Sequence, residues 1–183
     1  MPPQETRNQA SAAATNTWTG RDVADILCAQ GWLAGDASPV QFAWCERAAA
    51  LLGPQVSDKH SLGDLLQLVF HYDARELLAR VESHAVLSRY AARDVLRHLA
   101  LLLLDGAPLT TERFKEIIAA LKEGLGLSSR DLFHPIRLAL TGRAGEGELD
   151  RVVLLLDEAA ALSFNVAVKP ARERILEFCA ALD

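Results

Sequence analysis

The chain is poor in the residues that usually advertise a function. Aromatic residues make up only 6% of its 183 positions, which leaves few rings for a platform on which successive nucleic-acid bases could stack. Basic residues are not in excess. There are 19 Lys and Arg against 24 Asp and Glu, giving a formal net charge of −5 and a pI near 5.5. That balance argues against a generic, charge-driven nucleic-acid coat, although it leaves room for a local basic face. Cysteine is scarce, and Cys28, Cys45 and Cys179 lie far apart with no CxxC spacing. This is the usage of a reduced, cytoplasmic protein rather than a disulfide scaffold. No apolar run reaches the roughly 18 residues of a membrane span; "HLALLLL" is too short. The charged-then-apolar pattern of a secretory leader is also missing. No GxSxG, GxxxxGKS/T or GxGxxG occurs, so nucleophile elbows and phosphate cradles of those types find no support. The histidines show no i, i+4 pair of the kind a helical zinc site uses. His60, His71, His84 and His98 read as surface or cap residues, and neither a metal nor a cofactor is expected.

What is present is helix. Half of the residues are hydrophobic, with Leu and Ala, both strong helix formers, dominating. Residues 1–17 are small and polar, without periodicity, and are expected to form a disordered tail. Beyond them, start and stop signals alternate. Thr19 with Asp22 and Ser38 with Gln41 resemble capping boxes, and Pro39 takes the favoured first helical position. Val23, Ile26 and Leu27 form one apolar stripe; Val40, Trp44, Ala48 and Leu51 form the next, stopped at Gly53-Pro54. Ser61 and Asp64 are expected to open a third helix carrying Leu62, Leu65, Leu66, Val69 and Phe70 at amphipathic spacing. Asp73 and Glu76 box a fourth, with Leu77, Leu78 and Val81 inward. A fifth, from Tyr90 to Leu104, is apolar nearly all round through "LALLLL", which predicts a place at the centre of the core. The sixth carries Phe114, Ile117, Ile118 and Leu121, with Gly124 past its end. Glu112, Glu116 and Glu123 beside Lys115 and Lys122 read as its solvated face. An eighth carries Leu149, Val152, Val153 and Leu156; a ninth starts at Pro170 with Ile175, Phe178, Cys179 and Leu182 inward. "SFNVAV" has strand-like composition, but one short run makes no sheet. The fold class is therefore all-α, a bundle of about nine helices.

The seventh segment, "SSRDLFHPIRLALTG", holds the one unusual site. Leu132, Ile136 and Leu140 form its inward stripe, and Arg137 is expected to lie off that stripe, toward an edge. The loop "TGRAGEGEL" follows, with Gly142, Gly145 and Gly147, which permit positive φ and close backbone approach. It runs into a helix start, where free N–H groups favour acceptors and anions. Arg130, Arg137 and Arg143 stand nearby, and a guanidinium fork can read a base edge or clamp a phosphate. A purely structural alternative stays open on spacing alone: Gly142 is a helix C-cap, and Arg137 pairs with an acid such as Glu148.

The residues Leu132, Phe133, Pro135, Ile136, Arg137, Ala139, Leu140, Thr141, Gly142, Glu148 and Leu149 carry a more specific signal. The stretch "LKEGLGLSSRDLFHPIRLALTGRAGEGEL" resembles the C-terminal half of bacterial glutamyl-tRNA synthetases, in the segment Leu-Phe-x-Pro-Leu/Ile-Arg-x-Ala-Leu-Thr-Gly followed by a loop ending Gly-Pro-Glu-Leu. The resemblance is close over residues 110–157 and looser over 18–109. It implies an α-helical anticodon-binding cage, with residues 18–109 as a helical subdomain and 110–183 as the anticodon-binding-like subdomain. It further implies a tRNA anticodon loop as partner, met by Arg137 and by Glu146, Gly147 and Leu149 of the loop, with Arg130, Arg143, Thr141 and Gly142 around them. Where the family has Gly-Pro, this chain has Glu146-Gly147, an acid next to the expected phosphate path. Neither a His-x-Gly-His-type nor a Lys-Met-Ser-Lys-Ser-type signature appears, so these residues are not expected to activate glutamate. Three readings follow: a stand-alone, non-catalytic module that binds tRNA and assists glutamyl-tRNA synthesis, a protein-interaction or regulatory module that reuses the fold without RNA, and one half of a split synthetase acting with a catalytic partner.

Overall fold

The structure is a computed structural model that describes residues 17–145 and 147–182. Residues 1–16 of the expected tail lie outside the described residues, as does Glu146 of the candidate loop. Ten α-helices follow one another, with no strand among the described residues. They are α1 (Gly20–Ala29), α2 (Pro39–Leu52), α3 (Lys59–Phe70), α4 (Ala74–Leu78), α5 (Val81–Leu87), α6 (Ala92–Leu103), α7 (Thr111–Leu125), α8 (Ser129–Thr141), α9 (Leu149–Ala161) and α10 (Ala171–Leu182). The all-α expectation holds, and "SFNVAV" is a connector.

Local chemistry sets most of the helix starts. Thr19 and Ser38 form full capping boxes with Asp22 and Gln41, each satisfying N–H groups that a helix start leaves without partners. α3 opens one turn earlier than expected, because Asp58, not Ser61, is the cap; its carboxylate accepts from the Ser61 N–H at 2.9 Å. Asp73 caps α4 through the N–H groups of Arg75 and Glu76. The expected fourth helix is in fact two, and Val81, placed inward by its periodicity, begins α5 and is 83% exposed. Val40, in the first turn of α2, likewise faces outward. α7 runs past Gly124 to Leu125 and ends at Gly126 in the left-handed conformation.

The largest correction concerns the centre. α6 is amphipathic rather than buried all round. Val95, Leu96, Leu99 and Leu103 face inward, whereas Leu101, Leu102 and Leu104 are exposed. The central helix is α8, where Leu132 and Pro135 through Leu140 are all buried. Leu132, Ile136 and Leu140 belong to one core, which runs from Val23 to Ile175 and includes Trp44 and Phe114. Leu138 and Ala139 belong to a second, with Tyr72, Leu77, Val86, Leu96 and Phe178. Between two cores, the stretch from Pro135 to Leu140 is covered on every side and buried regardless of stripe, while Ser129 and Arg130 in the first turn stay exposed. Several of the few aromatic residues are used in the first core. Trp32 stacks on Phe70 with centroids 4.8 Å apart, and Trp44 meets Phe70 and Phe164 edge-on. The Trp44 indole N–H donates to the Leu155 carbonyl at 2.9 Å.

One charge lies at the seam. Arg174 of α10 has no exposed surface. Its guanidinium donates to the carbonyls of Lys169 at 2.8 Å, Leu68 at 2.9 Å and Leu140 at 3.0 Å, and also to that of Val69. It lies over the Tyr72 ring at 4.6 Å, a cation–π contact. Burial pulls its pKa down to about 10, so it stays charged at neutral pH. Leu68 and Val69 sit in the last turn of α3 and Leu140 in the last turn of α8, where carbonyls lack helical donors. Arg174 therefore serves as a shared C-terminal cap for two helices from a third.

Two outcomes are expected. Arg174→Met should lower stability by about 3 kcal/mol or more, because several carbonyls lose their donor in a buried setting; the urea-unfolding midpoint measures this. The capping carboxylates Asp22, Asp58 and Asp73 are all held below their ordinary value of 3.8, mainly by the hydrogen bonds they accept at their helix starts. A carboxylate with a depressed folded-state pKa contributes stability that is fully present above 3.8 and lost as pH falls through the lower folded value. The melting temperature should therefore drop on going below pH 4 or so. Replacing the three by Asn, which caps without a charge, should flatten that limb.

Candidate nucleic-acid interface

The sharp α8–α9 connection shapes the candidate site. Ser128 caps α8, accepting from the Asp131 N–H. Pro135 sits inside the helix and removes the N–H that would have bonded the Asp131 carbonyl. Gly142 ends the helix with φ +71, and a Cβ there would stand 2.5 Å from Leu77 Cδ2. Gly142 is thus required by conformation and by packing, as the structural alternative held.

Arg137 is where the structure departs from expectation. It is only 6% exposed and is enclosed rather than standing at an edge, because α8 runs between the two cores. It does not pair with Glu148, whose carboxylate binds Arg151 at 2.5 Å. Its Nη2 donates instead to the Gly147 carbonyl at 2.6 Å. Gly147 has φ +126, and a Cβ there would lie 3.4 Å from that Nη2. The close backbone approach permitted by the glycine is taken by the guanidinium. Burial lowers the pKa of Arg137, with no charged neighbour among the causes. A charge held in low dielectric with one hydrogen bond and no carboxylate among the described residues is costly to keep.

That guanidinium borders a cavity of about 540 Å³ between α7, α8 and the start of α9. Phe114, Ile118, Phe133 and Leu149 give it apolar and aromatic walls; Lys115, Arg130 and Arg137 are its cations, and Glu148 and Asp150 its acids. Both acids are engaged, Asp150 with Lys115 at 3.4 Å and Glu148 with Arg151. The volume falls within the range of ordinary ligand clefts, roughly 300–1,000 Å³, and the lining matches their usual mix of apolar wall and a few polar groups.

Of the candidate residues, Arg130, Arg137, Gly147 and Leu149 come together on this cavity, and Glu146 is outside the described residues. Arg143 and Thr141 do not join them; they line a neighbouring cavity to which Arg137 also contributes. The Thr141 hydroxyl donates back to the Arg137 carbonyl at 2.9 Å. Sequence reasoning did not identify Phe114, Ile118, His134 or Asp150 as lining residues, and read Lys115 as solvated charge. The regular spacing of Phe114, Lys115 and Ile118 on one helix carried the signal, but only the fold brings that helix against α8.

The family described as Anticodon binding domain matches residues 23–163, and the chain belongs to that family. It is 31% identical over 130 residues to a glutamate–tRNA ligase of Geobacillus stearothermophilus, an alignment covering 71% of this chain and 26% of that one. It is 27% identical over 115 residues to glutamate–tRNA ligase 2 of Syntrophus aciditrophicus strain SB, covering 63% and 23% respectively. The match falls in the C-terminal region of these relatives, and the chain spans about a quarter of their length. No solved structure gives a significant match. Among the described residues, no helix is long and apolar enough to cross a membrane, and no group of His, Cys, Asp and Glu could hold a metal ion.

Arg137→Met keeps the side-chain length and removes a buried charge that has no ion pair among the described residues. It should therefore hold or raise the melting temperature, in contrast to Arg174→Met. A large loss of stability in thermal denaturation would instead make Arg137 a structural residue.

Proposed function

We propose that the chain is a tRNA-binding module that receives the anticodon loop at the cavity between α7, α8 and α9. The observation that carries this reading is Arg137, a costly buried cation kept at the wall of an aromatic-lined cavity, in a chain of the anticodon binding domain family. Single-stranded RNA is usually recognised by splaying bases out against apolar or aromatic side chains and reading their edges with hydrogen bonds. Phe114 and Phe133 supply such walls, and Arg137 supplies the donors. Lys115 and Arg130, on the surface around the opening, meet the phosphates. In this reading the described helices bind rather than catalyse, and glutamate activation is performed by a separate catalytic synthetase partner that the module assists. The exposed leucines of α6, Leu101, Leu102 and Leu104, favour a second reading, a module that meets another protein without RNA.

Filter binding with total tRNA separates the two. Saturable binding is expected, weakening with added salt by a log–log slope of about −0.7 per single-strand phosphate contact. Lys115→Glu and Arg130→Glu should each weaken it, and Arg137→Met should weaken it roughly tenfold or more, the loss of a charge-assisted hydrogen bond. Binding that does not saturate, or that ignores all three changes, overturns the tRNA reading. A stoichiometric protein partner recovered without tRNA would support the second.

A further inference from the structure

We propose that the neighbouring cavity, which shares Arg137 with the first, binds a small aliphatic carboxylate. It encloses about 240 Å³ between α2, α3, α8, α9 and α10. Leu52, Leu65, Val152, Leu155 and Leu156 are among its lining residues and give it aliphatic wall. Three arginines border it, Arg137, Arg143 and Arg174, and among the described residues no carboxylate does.

The three arginines differ in what remains available. Arg174 is committed to four carbonyls, and Asp157, Glu173 and Glu177 lie within reach of its field. It contributes positive potential more than open donors. Arg137 spends one N–H on the Gly147 carbonyl and meets no carboxylate among the described residues. Arg143 is exposed, and its hydrogen bonds with Thr141 run through its backbone, leaving the guanidinium without a protein partner among the described residues. Gln55, also exposed, stands with it at the cavity.

Cations gathered at a low-dielectric space favour an anion there, and the guanidinium fork matches a carboxylate in two-point geometry. A bare inorganic anion would leave the leucines facing water. A hydrocarbon body covers them and gains the free energy of apolar burial. The volume lies below that of drug-sized clefts, so the body is a short chain, of the size of hexanoate. The lining of this cavity carries the proposal by itself, without the tRNA reading.

The test is calorimetric titration of the whole chain with sodium hexanoate, acetate, hexan-1-ol and inorganic phosphate, together with methyl NMR. Hexanoate should bind saturably, at least tenfold more tightly than acetate, phosphate or hexan-1-ol. Its shifts should centre on the methyls of Leu65 and Leu155 rather than Ile118 and Leu149. Arg143→Ala, a surface change that leaves the fold intact, should weaken hexanoate by about tenfold. Equal binding of hexan-1-ol would show an apolar cavity without charge recognition, and equal binding of phosphate or acetate a plain anion site. Either result, the absence of saturable binding, or shifts centred on Ile118 and Leu149 overturns the proposal.

Discussion

The arrangement of this molecule depends on one buried cation, Arg174. Four backbone carbonyls converge on it, from the ends of α3 and α8 and from the approach to α10. Each would otherwise be a buried acceptor without a donor. Tyr72 packs against the same guanidinium and sends its hydroxyl proton to the Ala139 carbonyl at 2.5 Å. The last turn of α8 is thereby fixed from two sides, at Ala139 and at Leu140, just before Gly142 ends the helix. The residues matched by the anticodon binding domain family end at 163, so the helix supplying this anchor lies outside the matched region while holding its centre together.

The two buried arginines illustrate opposite uses of one side chain. Arg174 has its donors matched to backbone acceptors and a ring beneath it. Arg137 makes one hydrogen bond to a glycine carbonyl and borders open space on two sides. Desolvation is a cost in both, offset by bonding only in the first. The uncompensated cost at a cavity wall is what the proposed ligand contact would offset.

Much of the fold was legible in short-range chemistry. The Thr19 and Ser38 caps, the apolar stripes of α1, α3, α7 and α9, and the left-handed glycine ending α8 each depend on neighbours within a turn or two. The eleven-residue resemblance around Pro135 and Arg137 pointed to the site region. What stayed hidden depends on long-range assembly. "LALLLL" in α6 suggested a central helix because leucine alone does not say which side meets protein, and three of those leucines face water. The stripe of Leu132, Ile136 and Leu140 gives α8 one inward face and puts Arg137 toward an edge, whereas a second core covers Leu138 and Ala139 on the other side. Arg174 sits in "ARERIL", which reads as a charged surface, since nothing local reveals that carbonyls from residues 68, 69 and 140 await it. Arg143 follows a glycine that turns the chain, and its direction was set by that turn rather than by its distance from Arg137.

A side chain that forms part of the wall of two chambers cannot be displaced in one without reshaping the other. Arg137 holds that place, and among the described residues its guanidinium is tethered by the Gly147 carbonyl alone. Any molecule that draws its guanidinium toward itself alters the welcome offered to a guest next door, and thermodynamics demands that the influence be equal in both directions. Were both chambers to take their proposed guests, this one side chain would be the partition through which they communicate.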